Sequence, residues 1–556
     1  MTSTVVQDPS GFELPADQRR VLSWFVYLGF AALAAGVTNG LAQAVSYAGI
    51  DITGYFPFLK TYYQGLTMHG VANALVFTFA FGNAFLMLMT ARGLNRALPG
   101  ALVKASFWVM LAGVASTFYA IVSNHASVLY TSYAPLQAHW TYYAGLVLVV
   151  ISTWLASAAM FVTLARWRRE HPGERIPLLA YISVVRWMMW DLASIGVAVS
   201  FLGFLIPWSL GILPKVDPLL NRTLFWFTGH AIVYAWLLPA YVSWYALVPR
   251  QAGGKVVSDR LARVAFLMFL IVSVPTGLHH QYTDPGVSQG MKAFQGLITF
   301  VIFWPSLATA FSVMAGLEMG GRRHGGTGLL GWIRKLPWSD PSLTAQMLAM
   351  LTFVLGGITG LINASYVMNQ VIHNTTWIPG HFHMTVGSAV ALSFMGITYW
   401  LIPYLTGRAL WSRKLAVAQS WIYTVGILIF ARGMISGGLA GMPRRTFIAR
   451  AAYSLPPWHL AGVLTGIGGT LMFLGAVLFL VILAMTVLGA GGSAGVPTDV
   501  PYSEVLTPAA TAGWEVNLDK LRWWLLAAIV LIVLAYAPAF LMEMPPNFVS
   551  PGFRLY

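Results

Sequence analysis

"LMFLIVSVPTGLHHQY", residues 267–282, ends a long apolar run with two adjacent histidines. About 20 consecutive apolar residues span a bilayer as a helix. Ionisable side chains at that depth are costly and usually functional. His279 and His280 therefore call for a ligand, and the surrounding chain shows whether such runs recur. They do, from end to end. Of 556 residues, 58% are hydrophobic and 9% charged, and the mean hydropathy is +0.70. Soluble domains run at about 45–50% apolar and about 25% charged, so this chain belongs in a membrane. Residues 1–20 are polar and the first apolar run is long enough to span, so no cleavable signal is expected. The absence of cysteine excludes disulfides, iron–sulfur clusters and thiolate metal sites within the chain. The net charge of +15 speaks through its placement rather than for nucleic acid, which is not an expected partner.

Windows of about 20 apolar residues predict an all-α, polytopic bundle of roughly thirteen spans. They lie near 21–46, 65–92, 101–124, 140–166, 180–208, 222–249, 260–280, 292–319, 342–366, 377–406, 414–439, 459–489 and 521–545. The chain reads as a single transmembrane domain, 1–556, without internal repeats. The Gly/Pro-rich stretch 490–515 is a linker before the last helix. Basic residues concentrate in alternate loops, including Arg166, Arg168, Arg169, Lys255, Arg260, Arg322, Arg323, Arg413 and Lys414. The positive-inside rule then puts the N-terminus in the cytoplasm and the C-terminus outside.

Six of the twelve histidines fall inside or at the ends of spans, all towards the outer face. They are His69, His230, His279, His280, His381 and His383. His381 and His383 are two residues apart, about 200° round a helix, so they cannot share one metal and should serve two centres with Phe382 between them. His279 and His280 are only about 100° apart and can converge on one ion. A third imidazole from another helix would complete a site of three neutral nitrogens, a donor set that suits copper better than iron or zinc. Tyr234 is four residues from His230 and shares its helix face. Tyr234, Tyr241 and Tyr245 lie within about 20° of one face and descend towards the cytoplasm. Ser306 and Thr309 descend alongside on the eighth span.

The stretches "YYQGLTMHG", "FWFTGHAIVYAWLLPAYVSWY", "PTGLHHQYTDPG", "ASYVMNQVIHNTTWIPGHFHMTV" and "MPRRTF" resemble the catalytic subunit of the haem–copper terminal oxidases, specifically the B-family, or ba3-type, cytochrome c oxidases. The resemblance covers nearly the whole chain. It implies that His69 and His383 ligate a low-spin haem b, that His381 ligates a high-spin a-type haem, and that His230, His279 and His280 hold copper-B. It implies that Arg444 and Arg445 bind haem propionates, with His373 and Asn369 near the other haem's propionates. The family has aspartate where this chain has Asn369. Tyr234 would be the catalytic tyrosine, joined covalently in the family to the copper histidine. Tyr234, Tyr241, Tyr245, Ser306 and Thr309 resemble the family's proton-uptake path, with Glu504 near its mouth. Ile232 stands where the A-family carries a glutamate, and Ala231 replaces a proline.

The implied activity is four-electron reduction of O2 to water, with proton uptake from the cytoplasm and proton pumping. The implied partners are a di-copper subunit II, cytochrome c or a similar soluble donor on the outer side, a small accessory helical subunit and the lipid bilayer. The implied location is a bacterial or archaeal cytoplasmic membrane. A nitric oxide reductase on the same frame is the alternative, although such enzymes typically lack the tyrosine and place glutamates beside a non-haem iron. A cofactor-free transporter is the alternative of another class, and it leaves the six histidines without a task. Arg186, Asp191 and Arg432 fall within spans, where an unpaired charge is disfavoured, so an Arg–Asp pair between helices is expected, with a proton or propionate role as the alternative. His125, His139, His171, His324 and His459 are expected at the surface.

Overall fold

A computed structural model describes residues 12–508, 510, 513–543 and 549–556. The polar residues 1–11, residues 509, 511 and 512 of the linker, and residues 544 and 545 of the last expected span lie outside the described residues. Among the described residues, eleven helices are long and apolar enough to cross a membrane. They are α1 (Ala16–Tyr47), α2 (Tyr62–Gly93), α3 (Gly100–Val122), α4 (Trp140–Glu170), α5 (Leu178–Ser209), α8 (Gln289–Arg323), α9 (Pro341–Ala364), α10 (Trp377–Thr406), α11 (Arg413–Leu439), α12 (Pro456–Val487) and α13 (Leu521–Leu541). The two remaining expected spans, α6 and α7, are interrupted.

α6 consists of Pro218–Gly229 and Ala231–Ala246, broken at His230. Asp217 caps its start by accepting from the N–H groups of Leu219 and Leu220 at 2.8 and 3.1 Å, the ordinary acidic N-cap. α7 runs only over Asp259–Val272. Pro275 lacks an N–H and stops it, and a 3₁₀ turn, Gly277–Gln281, follows. The expected continuous helix over 260–280 is thus corrected: His279 and His280 sit on that turn. Irregular backbone is tolerated at membrane depth where it lines a protein-enclosed cavity.

Close helix contacts rest on small residues. A side chain at Gly433 of α11 would come within 2.6 Å of the Ala461 carbonyl of α12, so the two backbones touch as in other small-residue membrane interfaces. Two helices are locally rewound into π geometry beside a histidine. In α2 the segment Val71–Phe77 follows His69, and in α10 the segment His383–Val390 begins at His383. Single π turns of this kind occur mostly at functional sites.

Two short parallel pairings tie distant segments together. β1 (Leu136–Gln137) pairs with β4 (Phe553–Arg554), and β2 (Val256–Ser258) pairs with β3 (Val505–Thr507). The linker is anchored over its described residues. Arg92 of α2 forks onto Asp499 with two bonds of 2.7 Å, and the Ser503 amide donates to the Ala246 carbonyl at 2.7 Å.

Candidate metal centre

The break in α6 and the turn after α7 bring His230, His279 and His280 together, with one ring nitrogen of each within 4.8 Å of the others. Ring centres are 4.4 Å apart for His230 and His279, and 4.3 Å for His279 and His280. Thr299 of α8 gives its hydroxyl hydrogen to the Gln295 carbonyl at 2.6 Å. Its oxygen therefore accepts from His279 Nδ1 at 2.8 Å, which leaves Nε2 of His279 as a free lone pair. A ligating histidine is commonly oriented in this way through its other nitrogen. His230 Nδ1 and His280 Nε2 face each other at 3.2 Å, and Trp226 stacks on His280 at 3.8 Å. Tyr234 lies edge-on to His230, ring centres 5.1 Å apart.

Gly277 makes the turn possible, because a side chain there would strike the Trp226 carbonyl and the Tyr536 hydroxyl. Tyr536 of α13 donates to the Val274 carbonyl at 3.1 Å and to that of Trp226 at 3.4 Å. The last span therefore clamps the turn that carries two of the three imidazoles.

α10 sends its two histidines to different neighbours, as their spacing requires. The Nδ1 of His381 lies 3.0 Å from the Gly356 carbonyl and 3.0 Å from Thr359 Oγ1, both on α9. His383 donates from Nδ1 to the Pro379 carbonyl at 2.7 Å, and His69 from Nδ1 to the Gly36 carbonyl at 2.8 Å. The rings of His69 and His383 are 6.0 Å apart with planes 12° from parallel. Two imidazoles on one iron, with metal–nitrogen bonds of about 2 Å, place their ring centres roughly 6 Å apart. The pair fits an iron porphyrin between them.

A cavity of about 530 Å³ is lined by the triad, His381, Phe382 and Tyr234. Neither His69 nor His383 lines it, so the structure offers two separate places divided by α10. Arg444, Arg445, His373 and Asn369 also line the cavity. His373 donates from Nδ1 to Asn369 Oδ1 at 3.0 Å, and Asn369 donates to the Asn363 carbonyl at 2.8 Å. Burial, with Arg444, Arg222 and Arg445 nearby, lowers the His373 pKa to about 4. Three arginines thus face a buried neutral ring, a setting that suits an anion such as a carboxylate.

The expected polar path appears in its lower part as two hydrogen-bonded pairs. Tyr241 donates to Ser306 Oγ at 3.3 Å, and Tyr245 donates to Thr309 Oγ1 at 3.1 Å. Glu504 is exposed and paired with Lys255 at 2.7 Å, which holds its carboxyl below the usual range.

Several expectations need correction. Arg186 does not pair with Asp191: both are on α5, and Arg186 donates to the Ala235 carbonyl of α6 instead. The rings of His125 and His139 are half-buried and 5.6 Å apart, with Tyr556 against both, and His171 is half-buried against Trp167 at 4.6 Å. His324, His459 and Arg432 are exposed. The sequence reading missed Arg222, which lines the cavity, pairs with Asp284 at 2.9 Å and lies 5.0 Å from the Tyr133 ring. A lone arginine at the outer start of the sixth expected span was the available signal.

Residues 20–471 match the family described as cytochrome c and quinol oxidase polypeptide I. The chain belongs to this family. It is 40% identical over 546 residues to cytochrome c oxidase subunit 1 of Thermus thermophilus, covering 97% of each chain. It is 28% identical over 443 residues to the haem–copper oxidase subunit I+III of Aeropyrum pernix, covering 75% of this chain and 51% of that one. A haem–copper terminal oxidase dimer solved by cryo-electron microscopy superposes with a TM-score of 0.91 at 34% identity, over 97% of this chain and 95% of the other. As a haem–copper oxidase subunit I, the chain is the catalytic subunit of a respiratory terminal oxidase and a multi-pass membrane protein.

Proposed function

We propose that the chain is the oxygen-reducing subunit of a B-family cytochrome c oxidase, acting as one catalytic unit with its linker. The observation that carries this reading is the placement of His381 and the His230–His279–His280 triad on one cavity with Tyr234 beside His230. His381 would hold a high-spin a-type haem, the triad copper-B, and His69 with His383 a low-spin haem b. When bound, these metals supply the oxygen-binding site and the one-electron chemistry of its four-electron reduction to water.

This chain's own residues do the rest. Tyr234 gives a proton and an electron to the reacting oxygen, from a ring already packed on His230. Arg444 and Arg445 bind propionates through planar forks, and His373 and Asn369 sit at the neighbouring propionate. Asn369 cannot take up or release a proton there as the family's aspartate can, so His373 and the arginines alone set the charge. Tyr245 and Thr309, then Tyr241 and Ser306, carry protons inward towards Tyr234 from the cytoplasmic side, with Glu504 near the mouth. Subunit II, carrying a di-copper site, would deliver electrons from cytochrome c or a similar donor outside, as a chain without cysteine cannot build a thiolate-bridged pair. A small accessory helix completes the assembly in a bacterial or archaeal cytoplasmic membrane. With the N-terminus inside, electrons and protons arrive from opposite faces. Each charge so separated stores about 2.3 kcal/mol per 100 mV, and pumping of further protons adds to this.

A nitric oxide reductase is disfavoured because no aspartate or glutamate lines the cavity among the described residues. The test is Tyr234→Phe in the purified complex, with metal analysis and a reduced-minus-oxidised spectrum. Two haems and one copper on this subunit, with O2 reduction abolished, are expected. Full O2 turnover by the variant refutes the role of Tyr234, and absence of Soret absorption refutes the oxidase reading.

A further inference from the structure

Pro239 lies inside the second half of α6. Proline has no N–H to return to the carbonyl four residues earlier, and that carbonyl belongs to Ala235. Ala235 follows Tyr234 directly and stands five residues beyond His230. A backbone carbonyl left without a donor at membrane depth is costly. Here the donor comes from another helix. Arg186 of α5 gives Ala235 two hydrogen bonds, from Nε at 3.1 Å and from Nη2 at 2.6 Å. The guanidinium is 0% exposed. Its carbon lies 4.0 Å from the Trp187 ring and 5.7 Å from that of Phe79, an aromatic bed that offsets part of its desolvation. A charged group this deep in a membrane protein usually serves a function, and this one spends its fork on a single carbonyl beside Tyr234.

We infer that Arg186 is a positioning residue for the oxygen-reducing site: it supplies the donor that Pro239 lacks and so fixes the bend of α6 that sets His230 and Tyr234 against the turn carrying His279 and His280. The inference rests on the roles proposed above for His230 and Tyr234, but the brace itself is a property of α5 and α6. Lysine would not replace it fully, because a point charge lacks the two-pronged planar geometry.

The test compares the assembled wild-type complex with R186M, P239A and the double variant R186M/P239A. Alanine at 239 returns an N–H to the Ala235 carbonyl, so the double variant no longer needs the guanidinium. R186M should lower O2 turnover roughly ten- to a hundredfold, as expected for loss of a charge-assisted hydrogen bond to a buried acceptor. It should leave KM for the reduced donor unchanged and speed amide exchange in Ala231–Ala246. R186M/P239A should recover turnover and slow exchange to within about threefold of P239A alone, a coupling that independent sites do not show. Native turnover and exchange in R186M overturn the inference, as do equal losses with and without P239A. Where R186M does not assemble, R186K decides: an intermediate loss supports the brace, and wild-type behaviour refutes it. Amide exchange reads the bend without reference to metal. A triad that holds no copper would sink the site assignment, while the coupling between residues 186 and 239 would still stand or fall by itself.

Discussion

His69 and His383 hold their imidazole planes 12° apart at 6.0 Å between centres, while His381, two residues away, turns to a different cavity. Each ring of the pair is fixed through Nδ1 by a backbone carbonyl, which leaves Nε2 free to ligate. His383→Leu should therefore remove the low-spin haem band and keep the high-spin one, and His381→Leu should do the reverse. Haem content and reduced spectra of the two purified variants check this. Loss of the same band in both would contradict it.

Gly40 of α1 is a sharper probe of the same ring. A Cβ there would stand 2.7 Å from Cε1 and Nδ1 of His69, so the imidazole must move. Gly40→Ala should reduce low-spin haem occupancy at an overpacking cost of about 1–3 kcal/mol. Haem b per protein in that variant, beside the neighbouring control Ala42→Gly, is the measurement.

Thr309 accepts from Tyr245 in the buried half of the polar path. Thr309→Val keeps the shape and removes that acceptor, so proton uptake should slow by roughly tenfold, or about 1.4 kcal/mol on the barrier. Glu504 is exposed in an ion pair of the kind worth about 0.2–1 kcal/mol, and Glu504→Gln should change uptake by less than about threefold. Time-resolved proton uptake with a pH dye distinguishes the two. An unaffected Thr309→Val would place the route elsewhere.

The Tyr556 end of the chain, held by β1 and β4, should respond to acid. Burial, then the neighbouring His125 ring, holds the His139 pKa below its usual 6.5. A histidine depressed in the docked state binds fewer protons there than when free. Docking is thus at full strength above pH 6.5 and weakens as the pH falls below it. Amide exchange at Phe553 and Arg554, corrected for its intrinsic pH dependence, should accelerate through that range. His139→Gln should flatten the response.

Much of this was legible in the sequence because membrane helices announce themselves by length and polarity. The angle between His381 and His383 followed from helical geometry alone, and so did the meeting of Tyr234 with His230. The breaks in α6 and α7 were not legible, since hydropathy stays high across His230 and up to Pro275 while the hydrogen-bond ladder stops. Arg186 was misread for a related reason. A sequence shows charges, which suggested an Arg–Asp pair between helices, but it does not show a carbonyl freed by a proline on a different helix. The half-buried pair His125 and His139 depended on the docking of Phe553–Arg554 some 400 residues later, a contact with no local sign.

The clamp of Tyr536 on the Val274 and Trp226 carbonyls has a consequence for biogenesis. α13 follows every other described span in the sequence, so the His279–His280 turn stays unlatched until the segment carrying Tyr536 has been made and has docked. A metal ion bound by the triad would thereby have a window for entry that closes when α13 docks.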